Sequence, residues 1–452
     1  RFGTLDLVLV CMDPRAVEAD YGVPAFGYDN VYRIAEAVRS ADLVISVASE
    51  SFFVNTSASF NDCESGIIAY ALIPVLTSLY RVPLIIFAHS VELLSNANAC
   101  CVLSYGVQQP TVFTIGDECF KSLLERLYEN NSVLHPICVA ADPSLLLQPA
   151  PIKHIDKIWK DEGLDYLSRP LIGVVLRPTS TWPDVRALSM LAQTFDTVIR
   201  ETNGSIIFIP FQMRGVNDAD VAESIRQRMS YRAQTALLQH VNRPEETLGL
   251  IGRLDVLLAM RLHGLIFATI NGIPCLGFGF NSELRHWLDR ILLGSYYFDL
   301  RTGLNASKFL ASVKELLSSK SQIAKHIHQL LPSLQMKASL NFDILELFYN
   351  MLVAPSTSQS KTSQACDAYH KKRWELVDTQ SLTQLVGYLP QQAIEPVLLK
   401  ELVKKLVESA LREKQDLTAQ LQQARLELTQ WKSRCEMILL SRSYRIMEPL
   451  RR

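Results

Sequence analysis

The chain has 452 residues, enough for two or three domains, and with 48% apolar and 20% charged residues it can bury substantial cores. Lys plus Arg number 45 and Asp plus Glu 46, a balance that excludes a chain-wide basic surface for nucleic acid. Nine cysteines, with no CxxC and no paired metal-ligand spacing, argue against a disulfide framework or a zinc site and fit a reducing, cytoplasmic setting.

The opening residues already read as a strand, Leu5–Cys11, with no signal-type segment ahead of it; a natural beginning further upstream is expected. Apolar strands recur at Asp42–Val47, Leu84–Ala88, Val112–Ile115 and Ile137–Ala141. Helical patterns lie between them, including Val31–Arg39 and Cys119–Tyr128, the latter with Asp117 placed to cap it. The most apolar stretch, Gly66–Ala88, is interrupted by Pro74, Arg81 and Pro83. It predicts a buried helix followed by a core strand rather than a membrane span. Strand and helix in alternation imply a mostly parallel sheet covered on both faces.

Leu147-Gln148-Pro149-Ala150-Pro151 marks a boundary. After a short helix at Ile155–Glu162 the rhythm restarts: strand Leu171–Leu176, helix Asp184–Arg200, an Asn203-Gly204 turn, strand Ser205–Pro210, helix Asp218–Met229. Asn242-Arg243-Pro244-Glu245-Glu246 is a helix start, with an early proline and acids in the first turn. Two Rossmann-like, doubly wound α/β domains follow from this pattern, residues 1–150 and 151–350, with a cleft between them.

The densest chemistry lies at Met260-Arg261-Leu262-His263-Gly264. An apolar strand, Asp255–Ala259, precedes it; a short helix, the Gly272 stop and a second strand follow. Arg261 and His263 therefore stand at the carboxyl end of a buried strand, against a helix N-terminus, where open parallel sheets bind ligands and where an anion is favoured. An arginine there can clamp a carboxylate or phosphate, and a histidine can move a proton near neutral pH. Asp218, Asp220 and Asp142 read as helix-starting or structural residues. His286 and Trp287 read as helix packing.

Residues 354–364 form a polar linker within an expected 351–370 connection. From Val403 to Ile438 an apolar three-four spacing predicts a coiled coil, with a helix packed on its own domain as the alternative, inside a helical extension at 371–452. The tail, Leu439–Arg452, mixes bulky apolar residues with arginines, a composition suited either to a lipid surface or to a solvated end.

Leu254–Ile291 resembles the signature of the polysaccharide pyruvyl transferase family: a strand, Met260-Arg261-Leu262-His263, an apolar helix, then Gly272-Ile273-Pro274. Further pieces agree in order: Phe113–Glu118, Ala141-Asp142-Pro143, Ile172–Pro178, and Pro210-Phe211-Gln212 with the downstream Asp218. The resemblance implies a glycosyltransferase-B-like pair of domains that moves pyruvate from phosphoenolpyruvate onto a saccharide, free or lipid-linked, as a cyclic ketal. It implies that Arg177, Arg261 and Leu262 bind the donor, that His263 is the acid/base, and that neither metal nor further cofactor is required. Two departures stand out. The family's Gly-rich turn is Ser46–Ser51 here, and its Tyr-Asp-Pro-Lys is Phe280-Asn281-Ser282-Glu283, an anion in place of a cation. The tail resembles the appendage of some bacterial surface-polysaccharide glycosyltransferases. A nucleotide-sugar glycosyltransferase and a non-catalytic scaffold whose coiled coil gathers other polysaccharide enzymes are the alternatives; self-association through the coiled coil and contact of the basic tail with the inner membrane face are expected on any of these readings.

Overall fold

Runs of leucine and β-branched residues, each ended by a turn residue or proline, build two larger parallel sheets and a two-stranded one among the described residues. The computed structural model describes residues 5–11, 13–27, 30–47, 67–89, 112–116, 137–178, 185–213, 217–240, 243–280 and 282–353. The chain divides into two compact units, Arg1–Gln364 and Ala365–Arg452, and every described residue belongs to the first. The expected coiled coil, the basic tail, the Asp117-capped helix and residues 354–370 of the linker lie outside the described residues. Residues 351–353, expected to open that linker, are instead the end of a helix.

The first strand is much shorter than its apolar run. β1 (Leu9–Val10) is followed by α1 (Pro14–Tyr21), and among the described residues it pairs only with β2 (Ala25–Phe26), in parallel, as a separate two-stranded sheet. Leu5, Leu7, Val8 and Leu9 are exposed. An apolar run becomes a full strand only where a neighbour offers a ladder, and here two residues find one. α2 (Val31–Ser40) starts where the Asn30 side chain accepts from the Arg33 N–H. The main first sheet is β3 (Val44–Val47), β4 (Leu84–His89), β5 (Val112–Ile115) and β6 (Ile137–Val139), parallel and in that order. The apolar segment before β4 is α3 (Ile67–Tyr80), as the sequence predicts. No helix among the described residues is long and apolar enough to cross a membrane.

α4 (Ile152–Asp161) leads into the second sheet. Its elements are β7 (Leu171–Val175), α5 (Val185–Thr202), β8 (Ser205–Phe208), α6 (Asp218–Arg226), β9 (Thr235–Leu237), α7 (Pro244–Ile251), β10 (Val256–Ala259), α8 (Leu262–Ile270), β11 (Cys275–Gly279), α9 (Ser282–Arg290) and β12 (Tyr297–Asp299). Strand order is β12-β11-β10-β7-β8-β9, all parallel. The chain enters at the centre, winds outward through β8 and β9, then returns to β10 and winds the other way. Every residue of β7, β8, β10 and β11 is buried, as helices on both faces require. Each large apolar side chain so buried contributes about 1.5–3 kcal/mol relative to exposure.

Two crossings join the sheets. After β6 the chain makes a single 3-10 turn, Pro143–Leu146, and Ala141 and Leu145 are already packed in the second core. After α10 (Ala306–Ser318), the long α11 (Lys320–Val353) runs back. Its Phe342 packs edge-on against Phe87 of β4 at 5.3 Å, and Ile344 and Leu345 join the same cluster with Ile85 and Ala88.

Candidate active site

Strand register brings the candidate residues together. Ala259 of β10 pairs with Val175 of β7, so Arg261 and Arg177, each two residues further on, leave neighbouring strands at the same level. β7 and β10 are the pair at which the winding reverses. The crevice outside the carboxyl ends of such strands is the ligand site of doubly wound sheets. Arg261 is the N-cap residue of α8, in extended conformation, so the amino end of that helix and its partial positive charge face the crevice. Gly264 allows this close seating: a Cβ there would lie 3.1 Å from the Ala259 Cβ and 3.4 Å from the Val175 Cγ2.

Arg261 is locked. Its Nε and Nη2 donate to Asp218 Oδ2 and Oδ1 at 2.9 and 2.6 Å, and Nη2 also donates to Gln212 Oε1 at 3.1 Å. The two side chains are 10% and 1% exposed. Asp218 Oδ2 additionally accepts the N–H groups of Phe211 and Gln212, both at 2.9 Å. This carboxylate is thus desolvated but fully hydrogen-bonded, as a buried charge must be. It starts α6, as the sequence reading has it, with Asn217 as the cap that accepts from Ala219 N–H. The bidentate fork onto Arg261 is a second task that local sequence does not reveal.

His263 is the second residue of α8, its side chain 26% exposed and its ring edge-on to Phe267 at 6.4 Å. It is not sealed in the core. Its Nε2 is 3.7 Å from Asp142 Oδ2, while Asp142 Oδ1 accepts the Ser144 N–H at 2.8 Å. Asp142, read from the sequence as structural, caps the 3-10 turn and also faces the imidazole. Only the Ala141-Asp142-Pro143 motif, quoted with the family signature, signalled that this position matters.

Arg177 and Leu262 are half-buried; Leu262 packs against the second core. Asp220 is exposed on α6. Trp287 is buried and donates its indole N–H to the Thr269 hydroxyl at 3.2 Å, which is packing, while His286 beside it is exposed. Burial pushes the Cys275 thiol up to about 12, so that residue is an inert part of β11. Among the described residues no group of three or more His, Cys, Asp or Glu could hold a metal ion. Glu283 falls in the first turn of α9; Asn281 and residues 48–51 of the first-sheet turn lie outside the described residues.

Comparison with solved structures identifies the architecture. A Listeria monocytogenes protein described as a UDP-N-acetylglucosamine 2-epimerase superposes with TM-score 0.54 at 10% identity, over 77% of this chain and 88% of that one. The UDP-GlcNAc 2-epimerase of Neisseria meningitidis, solved with UDP-GlcNAc, gives TM-score 0.52 at 9% identity, over 73% and 87%. These likenesses show a glycosyltransferase-B-like α/β fold and, at such identity, the fold alone. A search of curated proteins finds no match. The profile of the family described as polysaccharide pyruvyl transferase matches residues 6–282, more than half of the chain and all of the crevice described above. The chain belongs to the polysaccharide pyruvyl transferase family.

Proposed function

We propose that this chain transfers pyruvate from phosphoenolpyruvate onto a saccharide, closing a cyclic ketal across two hydroxyls, during surface-polysaccharide synthesis on the cytoplasmic side of the membrane. The observation that carries the reading is the convergence of Arg177, Arg261, His263 and the amino end of α8 where β7 and β10 reverse the sheet. Phosphoenolpyruvate is a compact multiple anion, and guanidinium forks suit its carboxylate and phosphate. The first acceptor hydroxyl adds to C2 of the donor and releases its own proton to water, while another proton is delivered to the donor's methylene carbon. The second hydroxyl then displaces phosphate and loses its own proton. A half-exposed imidazole at the crevice can give the methylene its proton and take the last. Leu262 would supply an apolar wall beside the donor's methylene.

Arg261 brings less charge than the sequence suggests, because Asp218 neutralises it. Asp218 and Gln212 instead fix the plane of the guanidinium, so that it meets the donor in one orientation beside the helix end. That neutral pair also favours a second reading, a family member that scaffolds other enzymes through residues 371–452 without catalysis.

Calorimetry separates the two. Phosphoenolpyruvate should bind the full chain, and Arg177→Ala should weaken that binding by about tenfold to a hundredfold. His263→Ala should keep the affinity while phosphate release in the presence of a panel of methyl glycosides falls by about 10²–10⁴-fold. Absence of phosphoenolpyruvate binding with saturable binding of UDP-GlcNAc would move the assignment to a nucleotide-sugar enzyme; binding of neither supports the scaffold. Light scattering of the full chain and of a chain cut near residue 365 tests self-association, and flotation with anionic vesicles tests the basic tail.

A further inference from the structure

We infer that Asp142 is the carboxylate that sets the proton position of His263, and that Asn341 on α11 is the side chain that holds Asp142 in place. The functional meaning rests on His263 being the acid/base of the proposed reaction; the geometry does not.

The two oxygens of Asp142 are divided. Oδ1 is committed to the Ser144 N–H at 2.8 Å, which leaves Oδ2 toward His263 Nε2 at 3.7 Å. That separation is an ion-pair distance, slightly too long for a hydrogen bond, and such contacts commonly tighten when substrate closes a site. The segment carrying Asp142 is gripped from behind by one helix. Asn341 Nδ2 donates to Ala141 O at 2.7 Å, and Gln335 Nε2 donates to Leu145 O at 3.1 Å. Both gripped residues are completely buried.

Asn341 itself is fully buried, donates also to Ala338 O at 2.9 Å, and leaves its own Oδ1 without a partner. An unsatisfied buried carbonyl is a cost that leucine at this helix position would avoid. What offsets it is the hold on the residue next to Asp142. The neighbouring Phe342 packs on Phe87 of the first sheet, so the helix that grips this turn is anchored at both sheets.

A carboxylate facing one ring nitrogen fixes which nitrogen carries the hydrogen and stabilises the imidazolium formed when the other takes a proton. With Asp142 accepting at Nε2, the neutral ring should carry its hydrogen there and present Nδ1 as the base. Asp142→Asn makes a sharp test. The turn still requires an oxygen at the Ser144 N–H, so the new amide NH2 must face Nε2 and convert it to an acceptor.

The experiment is nitrogen-15 NMR of the full chain labelled at histidine, at a pH where the ring is neutral, with His263→Ala to assign the resonance. Wild type should be mostly the Nε2–H form. Asp142→Asn should be mostly Nδ1–H, a shift of about tenfold or more in the ratio, with melting temperature retained because the cap remains. Asn341→Leu should reduce the Nε2–H preference without loss of helix. Nδ1–H as the main form in wild type, or Nε2–H still dominant in Asp142→Asn, would overturn the inference. This readout needs no donor or acceptor. A correct tautomer response without phosphoenolpyruvate binding would therefore fault the pyruvyl-transfer reading and leave the dyad standing.

Discussion

The two ends of the second sheet carry the same kind of chemistry in different settings. At the carboxyl end, Arg261 and Asp218 form a fork that is 10% and 1% exposed. At the amino end, Asp255 accepts from Arg169 at 2.7 Å, from Lys320 at 2.6 Å and from the Leu171 N–H at 2.7 Å, with side chains 60%, 38% and 13% exposed for Arg169, Lys320 and Asp255. That cluster joins the starts of β7 and β10 to the first residue of α11, beside a cavity of about 720 Å³. Burial of Asp255 would push its carboxyl up. The Lys320 hydrogen bond, the Leu171 N–H and the Lys320 and Arg169 charges outweigh that and hold it below the usual aspartate range. Both ends pin neighbouring strands at the reversal. The carboxyl-end fork is desolvated, whereas the amino-end cluster keeps its cations largely in solvent, and that difference separates a candidate site from a staple.

The comparison breaks most visibly at Arg261. Arg261→Ala leaves Asp218 buried and unpaired, which should cost about 3–5 kcal/mol in denaturant unfolding. Asp218→Asn with Arg261→Ala should recover much of the loss without restoring donor binding. Next is Asp255→Asn at the amino end, expected to cost about 1–3 kcal/mol while phosphoenolpyruvate affinity stays at the wild-type value. The pH dependence follows from the depressed carboxyl. The Asp255 contribution is complete above the unfolded value of about 3.9 and is lost as pH falls through the lower folded value. Unfolding free energies of wild type and Asp255→Asn should therefore differ by a constant amount above about pH 5 and converge in stronger acid. Smallest is Lys320→Ala, a half-exposed partner, at about 1 kcal/mol or less and weakened further by added salt. An Asp255→Asn chain that lost donor affinity would show the two ends to be coupled and the contrast to be wrong.

Much of the scaffold was legible before any coordinates. Buried parallel strands announce themselves as continuous apolar runs, so β4, β5, β7, β8 and β10 fall within a residue or two of their predicted spans. The segment broken by Pro74, Arg81 and Pro83 is a helix and a core strand, as its length requires. Short edge strands are read unevenly: β6 falls within its predicted span, while β9 and β12, also three residues each, were missed. So were α10 and α11, whose helical spacing stands apart from the strand–helix rhythm. The run at Leu5–Cys11 misled in the other direction, since composition cannot say whether a neighbour will supply a ladder.

By itself the sequence determined the family, the parallel α/β architecture, and the placing of Arg261 and His263 between a strand end and a helix start, because hydrophobic period and turn residues act over a few positions. Tertiary structure alone decided the partners: Asp218 for Arg261, 43 residues away; Asp142 for His263; Asn341 for Ala141, 200 residues away. Charges and hydrogen-bond donors act through a few ångströms of space, and strand order and helix crossings set which distant residues share that space.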